Sequence, residues 1–148
     1  TIEEMLQVFS YVFRQTQVGG GKPQVDPRVV DGPFIIKDLE VVPIPVFHGK
    51  LPIYGYRIGD LAYITDCSRI PESSMEFLSD LKVLILGVVR YEPHPTHLRV
   101  DAALELIAKL KPERAYFTHL SHLVDHNQLS GELPQAVSLA YDGLIIGI

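Results

Sequence analysis

Apolar positions along the chain fall first at helical spacing and later at strand spacing. Ile2, Met5, Leu6, Phe9, Val12 and Phe13 recur at intervals of three and four, so residues 1–15 are expected to form an amphipathic helix. Thr1 with Glu4 three positions later is a capping-box pattern at its start. Residues 16–33 lose the periodicity and carry Gly19-Gly20-Gly21, Pro23, Pro27 and Gly32-Pro33, the composition of a linker.

From Phe34 the pattern becomes orderly. Strands are expected over 34–36 and 39–47, the second with Pro43 and Pro45, which point to an edge position or a bulge. Residues 53–58 and 61–64 flank Gly59-Asp60 and read as a hairpin. A helix is expected over 71–81 with Pro71 in its first turn. The unbroken apolar run 83–86 reads as a strand covered on both faces. Leu104, Ile107, Ala108 and Leu110 give a helical face to 100–110, and 115–117 is a further short strand. Residues 139–141 and 144–148 around Asp142-Gly143 read as a terminal hairpin.

Strand–helix–strand thus occurs twice in succession, through 61–86 and 83–117, and each unit forces its two strands to run parallel. Their carboxyl ends share one edge of the sheet, where open α/β sheets place ligands. Asp66 follows the strand 61–64, His94 and His97 follow 83–86, and His119 and His122 follow 115–117. His48 ends the strand that runs in the same direction two strands earlier. Singly, each reads as a solvated loop residue, as His126 does, and Asp66 or Ser68 could merely cap the helix at 71. Together, imidazoles and a carboxylate converging from separate segments favour a site for zinc, manganese or iron.

Composition adds boundaries. A chain of 148 residues that is 47% hydrophobic and 21% charged fits one globular domain. No apolar run approaches the ~20 residues of a spanning helix, and no signal sequence opens the chain. The single cysteine, Cys67, excludes an internal disulfide and suits a reducing cytoplasm. A net charge of -5 gives no general attraction to nucleic acid or membrane.

The chemistry-bearing residues carry a family likeness. Val46-Phe47-His48-Gly49, Gly55-Tyr56-Arg57-Ile58 and Tyr63-Ile64-Thr65-Asp66 resemble the third and fourth metal motifs of the metallo-β-lactamase superfamily. Phe117-Thr118-His119-Leu120-Ser121-His122 resembles its last metal motif, in the form found in cyclic phosphodiesterases of phosphonate metabolism, with a similar motif in transfer-RNA 3′-processing nucleases. Tyr91-Glu92-Pro93-His94-Pro95-Thr96-His97-Leu98 resembles the phosphodiesterase segment that brings a histidine to the scissile phosphate.

The resemblance implies an α/β fold, one half of an αβ/βα sandwich with a mixed sheet covered by helices. It implies two divalent metal ions, zinc or manganese, with His48 ligating one, Asp66 bridging and His119 ligating the other. His97 and Asp66 would be the catalytic residues. His97 would contact the phosphate or protonate the leaving oxygen, with His94 and His122 beside the substrate. Glu92 is a candidate partner for a metal-bound imidazole. The implied activity is phosphodiester hydrolysis of a small cyclic phosphate or nucleotide-like ester. An RNA-processing nuclease, a non-catalytic module and acyl or thioester hydrolysis are the alternatives.

The family's His-x-His-x-Asp-His motif is absent, and Gly87 stands where relatives often carry an aspartate. The favoured explanation is a C-terminal piece of a larger protein, ahead of a chain that borrows its other half from a partner, and ahead of a short protein that has lost the activity. The piece alone is expected to be inactive and to associate, as a homo-oligomer or with the missing half, because a half-sandwich exposes apolar sheet surface.

Overall fold

A computed structural model describes residues 1–14, 21 and 23–148 and divides into two compact units, Thr1–Asp31 and Gly32–Ile148. In the first unit, helix α1 (Ile2–Val8) stops at Phe9, whose φ of -101° and ψ of 32° break the ladder before the short α2 (Ser10–Phe13). The single helix expected over 1–15 is therefore two pieces, with residue 15 outside the described residues. The expected capping box is also absent, since Thr1 makes no side-chain cap and its ammonium instead lies 3.5 Å from the Glu4 carboxylate. Neither helix has a buried residue, and helices of this length have little intrinsic stability without packing. The linker expected over 16–33 lies largely outside the described residues up to 22, and 23–33 hold no regular element.

The second unit is built on one mixed sheet in the order β1-β2-β3-β4-β5-β7-β8, with β6 attached to β5. The antiparallel part is β1 (Phe34–Ile36), β2 (Leu39–His48), β3 (Leu51–Ile58) and β4 (Leu61–Ile64). The parallel part continues from β4 through β5 (Val83–Arg90) and β7 (Arg114–Thr118) to β8 (Val137–Leu139). The two-residue β6 (Leu98–Arg99) runs directly into helix α3 (Val100–Leu110). Pro43 and Pro45 lie in β2 beyond the reach of β1, which pairs only as far as Val41. Their missing N–H donors therefore interrupt no inner ladder.

Alternation along the strands sends Ile44, Val46, Ala62, Ile64, Leu84, Leu86, Ala115, Phe117, Val137 and Leu139 into one buried core. Val100, Ala103 and Ile107 of α3 and Leu129 of α4 (His126–Glu132) join it. The opposite face carries the cross-strand pair Tyr56 and Tyr63, and Tyr54 and Tyr63 are each 43% exposed. The sequence pattern marked the strands because burial on one face imposes a period of two.

Two expectations differ from the structure, and one element was not expected. Residues 71–81 form a 3-10 helix over Glu72–Leu78 rather than an α-helix. Ser74 Oγ donates to Pro45 O at 2.6 Å, and Arg57 Nη1 donates to Phe77 O and Ser79 O, both at 2.9 Å. These tertiary bonds hold the carbonyls that a longer α-helix would have to turn inward. The terminal hairpin is not formed: β8 adds parallel to β7, and Leu144–Ile148 pairs with no strand. Asp142-Gly143 does turn, with Leu144 N–H donating to Tyr141 O at 3.1 Å. The crossover that makes β8 parallel contains α4, which sequence periodicity missed because only Leu129 of its seven residues is buried. Asp125 starts it, its side chain accepting from Gln128 N–H at 2.8 Å. No helix is long and apolar enough to cross a membrane among the described residues.

Candidate metal centre

β2, β4, β5 and β7 run in one direction, so their carboxyl ends meet at one edge, as the sequence pattern predicts. His48 is the last residue of β2, Asp66 lies two residues past β4, and His119 lies one residue past β7. His94 and His97 stand in the loop between β5 and β6. The rings of His48, His94 and His119 pack around that of His97, with centroid separations of 4.8, 4.7 and 5.1 Å.

Asp66 is the centre of charge. Its Oδ1 lies 3.0 Å from His119 Nε2 and 3.6 Å from His97 Nδ1. Donor atoms of His48, Asp66 and His97 all lie within 4.8 Å of one another. Ligand atoms on one tetrahedral ion with bonds of about 2.0–2.1 Å sit roughly 3.3–3.5 Å apart, so the group needs only a modest contraction. His97 Nδ1 is buried with no hydrogen-bond partner, an orphaned polar atom aimed at the carboxylate. A nitrogen-rich donor set with one carboxylate fits a borderline cation such as zinc.

Burial holds the His97 imidazole below its ordinary value, and the neighbouring His94, His119 and His48 push the same way, against the opposing pull of Asp66. A neutral His97 follows at neutral pH. His94 is oriented locally: Thr96 N–H donates to His94 Nδ1 at 3.3 Å, with Thr96 Oγ1 3.2 Å away. Accepting at Nδ1 places the His94 proton on Nε2.

The segment 65–69 gathers the others, an arrangement that no local pattern announces. Ser68 Oγ donates to Phe47 O at 3.0 Å and accepts from Gly49 N–H at 2.9 Å, clamping the turn that carries His48. Gly49 has φ +63°, which a β-branched residue in that turn would not adopt readily. Cys67 O accepts from Leu98 N–H at 2.7 Å, anchoring the residue after His97. Ser68 therefore braces His48 rather than capping a helix. The Cys67 thiol is buried and pushed up to about 11, chiefly by desolvation, so it is a packing residue and not a nucleophile. The loop with His94 and His97 is tied at its base by Arg90 Nη2 donating to Pro93 O at 2.8 Å and Tyr91 Oη donating to Glu132 at 3.2 Å.

Asp66 and His119 both have left-handed backbones, φ 52° and φ 63°. Strand alternation alone would not predict that turn at both donors. Asp and His tolerate it better than most residues, and such conformations gather at functional sites. Of the remaining candidates, His122 is exposed, and no hydrogen bond or ring contact joins it to the cluster among the described residues. Glu92 is exposed as well.

Comparison with known proteins follows the same lines. A family profile described as a β-lactamase superfamily domain matches residues 1–120. The crystal structure of a new diphosphatase from the PhnP family superposes on the whole chain with TM-score 0.86 at 38% identity, covering 55% of that protein. The metallo-β-lactamase-fold protein YhfI from Bacillus subtilis matches 94% of this chain and 60% of its own with TM-score 0.69 at 20% identity. A Porphyromonas gingivalis protein named octanoyltransferase is 35% identical over 140 residues, which are 90% of this chain and 28% of that one. The chain thus spans about half the length of the diphosphatase and under a third of the curated relative.

Proposed function

The chain belongs to the β-lactamase superfamily and has the metallo-β-lactamase fold, and from that premise we propose that the whole protein is a metal-dependent phosphodiesterase. Its substrate would be a small cyclic phosphate or nucleotide-like ester. The observation that carries this reading is the Asp66 carboxylate, held 3.0 Å from His119 Nε2 beside His48 and His97 donors. The 38% identity to a diphosphatase favours a phosphorus centre over an acyl one, and adds a diphosphate linkage as a second substrate class.

In this reading His48, Asp66 and His119 would hold the divalent ions. When bound, such ions polarise a phosphoryl oxygen and supply hydroxide at neutral pH. The chain's own residues do the rest. Asp66 fixes the two sides of the site to each other by facing His119 and His97 at once. Neutral His97 can offer an N–H to a phosphate oxygen or pass a proton to the departing oxygen. His94, whose Nδ1 accepts from Thr96 N–H, can offer Nε2 to the phosphate, and exposed His122, in the loop after β7, is a further substrate contact.

Three ligands are too few for two ions, and Tyr54 and Tyr63 on the outer sheet face are each 43% exposed. We therefore assign the rest of the site to a further segment, supplied by the same polypeptide or by a partner, packed on that face. This chain by itself would bind metal weakly and turn over little. A cytoplasmic setting belongs to the same proposal and rests on Cys67 being the one cysteine of the sequence.

The test is a hydrolysis panel with the full-length protein loaded with zinc or manganese. It should contain a 2′,3′-cyclic nucleotide, a dinucleoside diphosphate, a transfer-RNA precursor and a thioester. Turnover of either of the first two, lost on chelation and in His119→Ala, is the expected result. Cleavage of the thioester alone would refute the phosphoryl reading, and unchanged metal content in His119→Ala would refute the site.

A further inference from the structure

We propose that Gly87 is a positioning residue, whose missing side chain lets the Thr65–Asp66 backbone lean across β5 so that Asp66 reaches His119. This rests on the metal-centre reading for its purpose, although the contact itself exists without metal.

The problem it solves is one of distance. Asp66 leaves the sheet from β4 and His119 from β7, and β5 lies between those strands. Adjacent strands are about 4.7–4.9 Å apart, so the two backbones start on the order of 10 Å from each other. The observed contact is 3.0 Å. Part of the gap is closed by the side chains, and the rest by the chain leaving its ladder just after Ile64.

The register shows where it crosses. Ile64 pairs with Leu86, and Leu86 pairs with Phe117. One step further, Gly87 pairs with Thr118, immediately before His119. A Cβ placed on Gly87 would stand 3.0 Å from Thr65 Cα, 3.0 Å from Thr65 Oγ1 and 3.2 Å from the Asp66 amide nitrogen. Side chains of paired strand neighbours stand beside one another, so a Cα at 3.0 Å from that point means the neighbouring chain has moved over β5. Two of the three contacts are backbone atoms, which cannot rotate aside as a flexible side chain would.

Gly87 is not needed for its own backbone angles. Its φ is not among the positive values, unlike Gly49, Gly59 and Gly143. The requirement is therefore for space alone. An aspartate here, as the family likeness suggested, would meet the backbone it was meant to support. A side chain at 87 would push Thr65 and Asp66 back toward β4 and separate the carboxylate from His119, leaving Leu84 and Leu86 on the buried face of β5 in place.

The experiment compares Gly87→Ala with Leu84→Ala, a core truncation on the same strand that does not touch Thr65. Both are made in the full-length protein. Metal-free histidine-labelled samples give the His119 imidazole NMR signals, which report its distance from the Asp66 carboxylate, and calorimetry with Zn2+ alone gives affinity. Gly87→Ala should shift the His119 imidazole signals away from their wild-type positions and weaken Zn2+ binding by about 10- to 100-fold, the range for outer-shell changes. Leu84→Ala should lower the melting temperature while keeping both. An intact His119 signal in Gly87→Ala overturns the proposal. Should that variant not fold, Gly87→Ala with Thr65→Ala, which removes the hydroxyl contact, takes its place under the same criterion. A wild-type protein that binds no Zn2+ would sink the metal reading, while the NMR comparison would still decide the role of Gly87.

Discussion

The left-handed backbones at Asp66 and His119 make a prediction whose sign is unusual. At an ordinary position, replacing a residue by glycine costs about 0.5–1 kcal/mol more than replacing it by alanine, because glycine gains more freedom on unfolding. His119 has φ 63°, where an L-residue with a Cβ is disfavoured by roughly 1–2 kcal/mol. His119→Ala keeps that strain and loses the Asp66 contact. His119→Gly loses the same contact but releases the strain. Subtracting the glycine entropy leaves His119→Gly more stable than His119→Ala by about 0–1.5 kcal/mol, with a midpoint of about 0.75 kcal/mol. The contact to Asp66 cancels in this comparison, which matters because both side chains are about half exposed and its worth is small. At about 2–4 °C per kcal/mol for a chain of this size, the difference is a few degrees in melting temperature. Metal-free urea and thermal unfolding of the two variants, followed by circular dichroism, measure it. The Asp66→Gly and Asp66→Ala pair should show the same order, since Asp66 has φ 52°. If alanine is the more stable replacement at both positions, the backbone is not strained there and the argument fails.

Three further outcomes are expected. The His97 pKa is lowered in the folded state, so the unfolded chain binds more protons as pH falls below the ordinary histidine value of about 6.5. Metal-free stability should therefore drop between pH 7 and pH 5, and His97→Gln should flatten that slope; an unchanged slope counts against a buried neutral His97. Tyr91→Phe should lower the urea midpoint only slightly, because the bond is exposed and Glu132 retains Gln128 as a donor at 3.0 Å. A midpoint lowered as far as by a core truncation such as Leu84→Ala would mean that Tyr91 does more than pin the loop. Ser68→Ala removes the bridge between Phe47 O and Gly49 N–H, and should reduce Zn2+ affinity by about tenfold through His48 alone, as calorimetry would show.

What the sequence alone determined is whatever follows from local pattern. The period-two burial of β2 to β4, the apolar run of β5 and the helical face of α3 are all written in the side chains that face the core. Chain direction then follows, because a short crossover forces parallel strands, and with it the shared edge that carries His48, Asp66, His97 and His119. The tertiary structure decided what depends on partners distant in sequence. It made residues 72–78 a 3-10 helix through Arg57 and Pro45, and it placed β8 beside β7 instead of in a hairpin. It also gathered the site around residues 65–69, where Ser68 holds the turn of His48 and Cys67 O holds the loop of His97. Gly87 illustrates the difference best. As a letter in a strand it only marked a departure from a likeness. Its meaning lies in the 3.0 Å between a Cβ that is not there and a backbone 22 residues earlier in the chain, and no local pattern encodes a space kept empty for another segment.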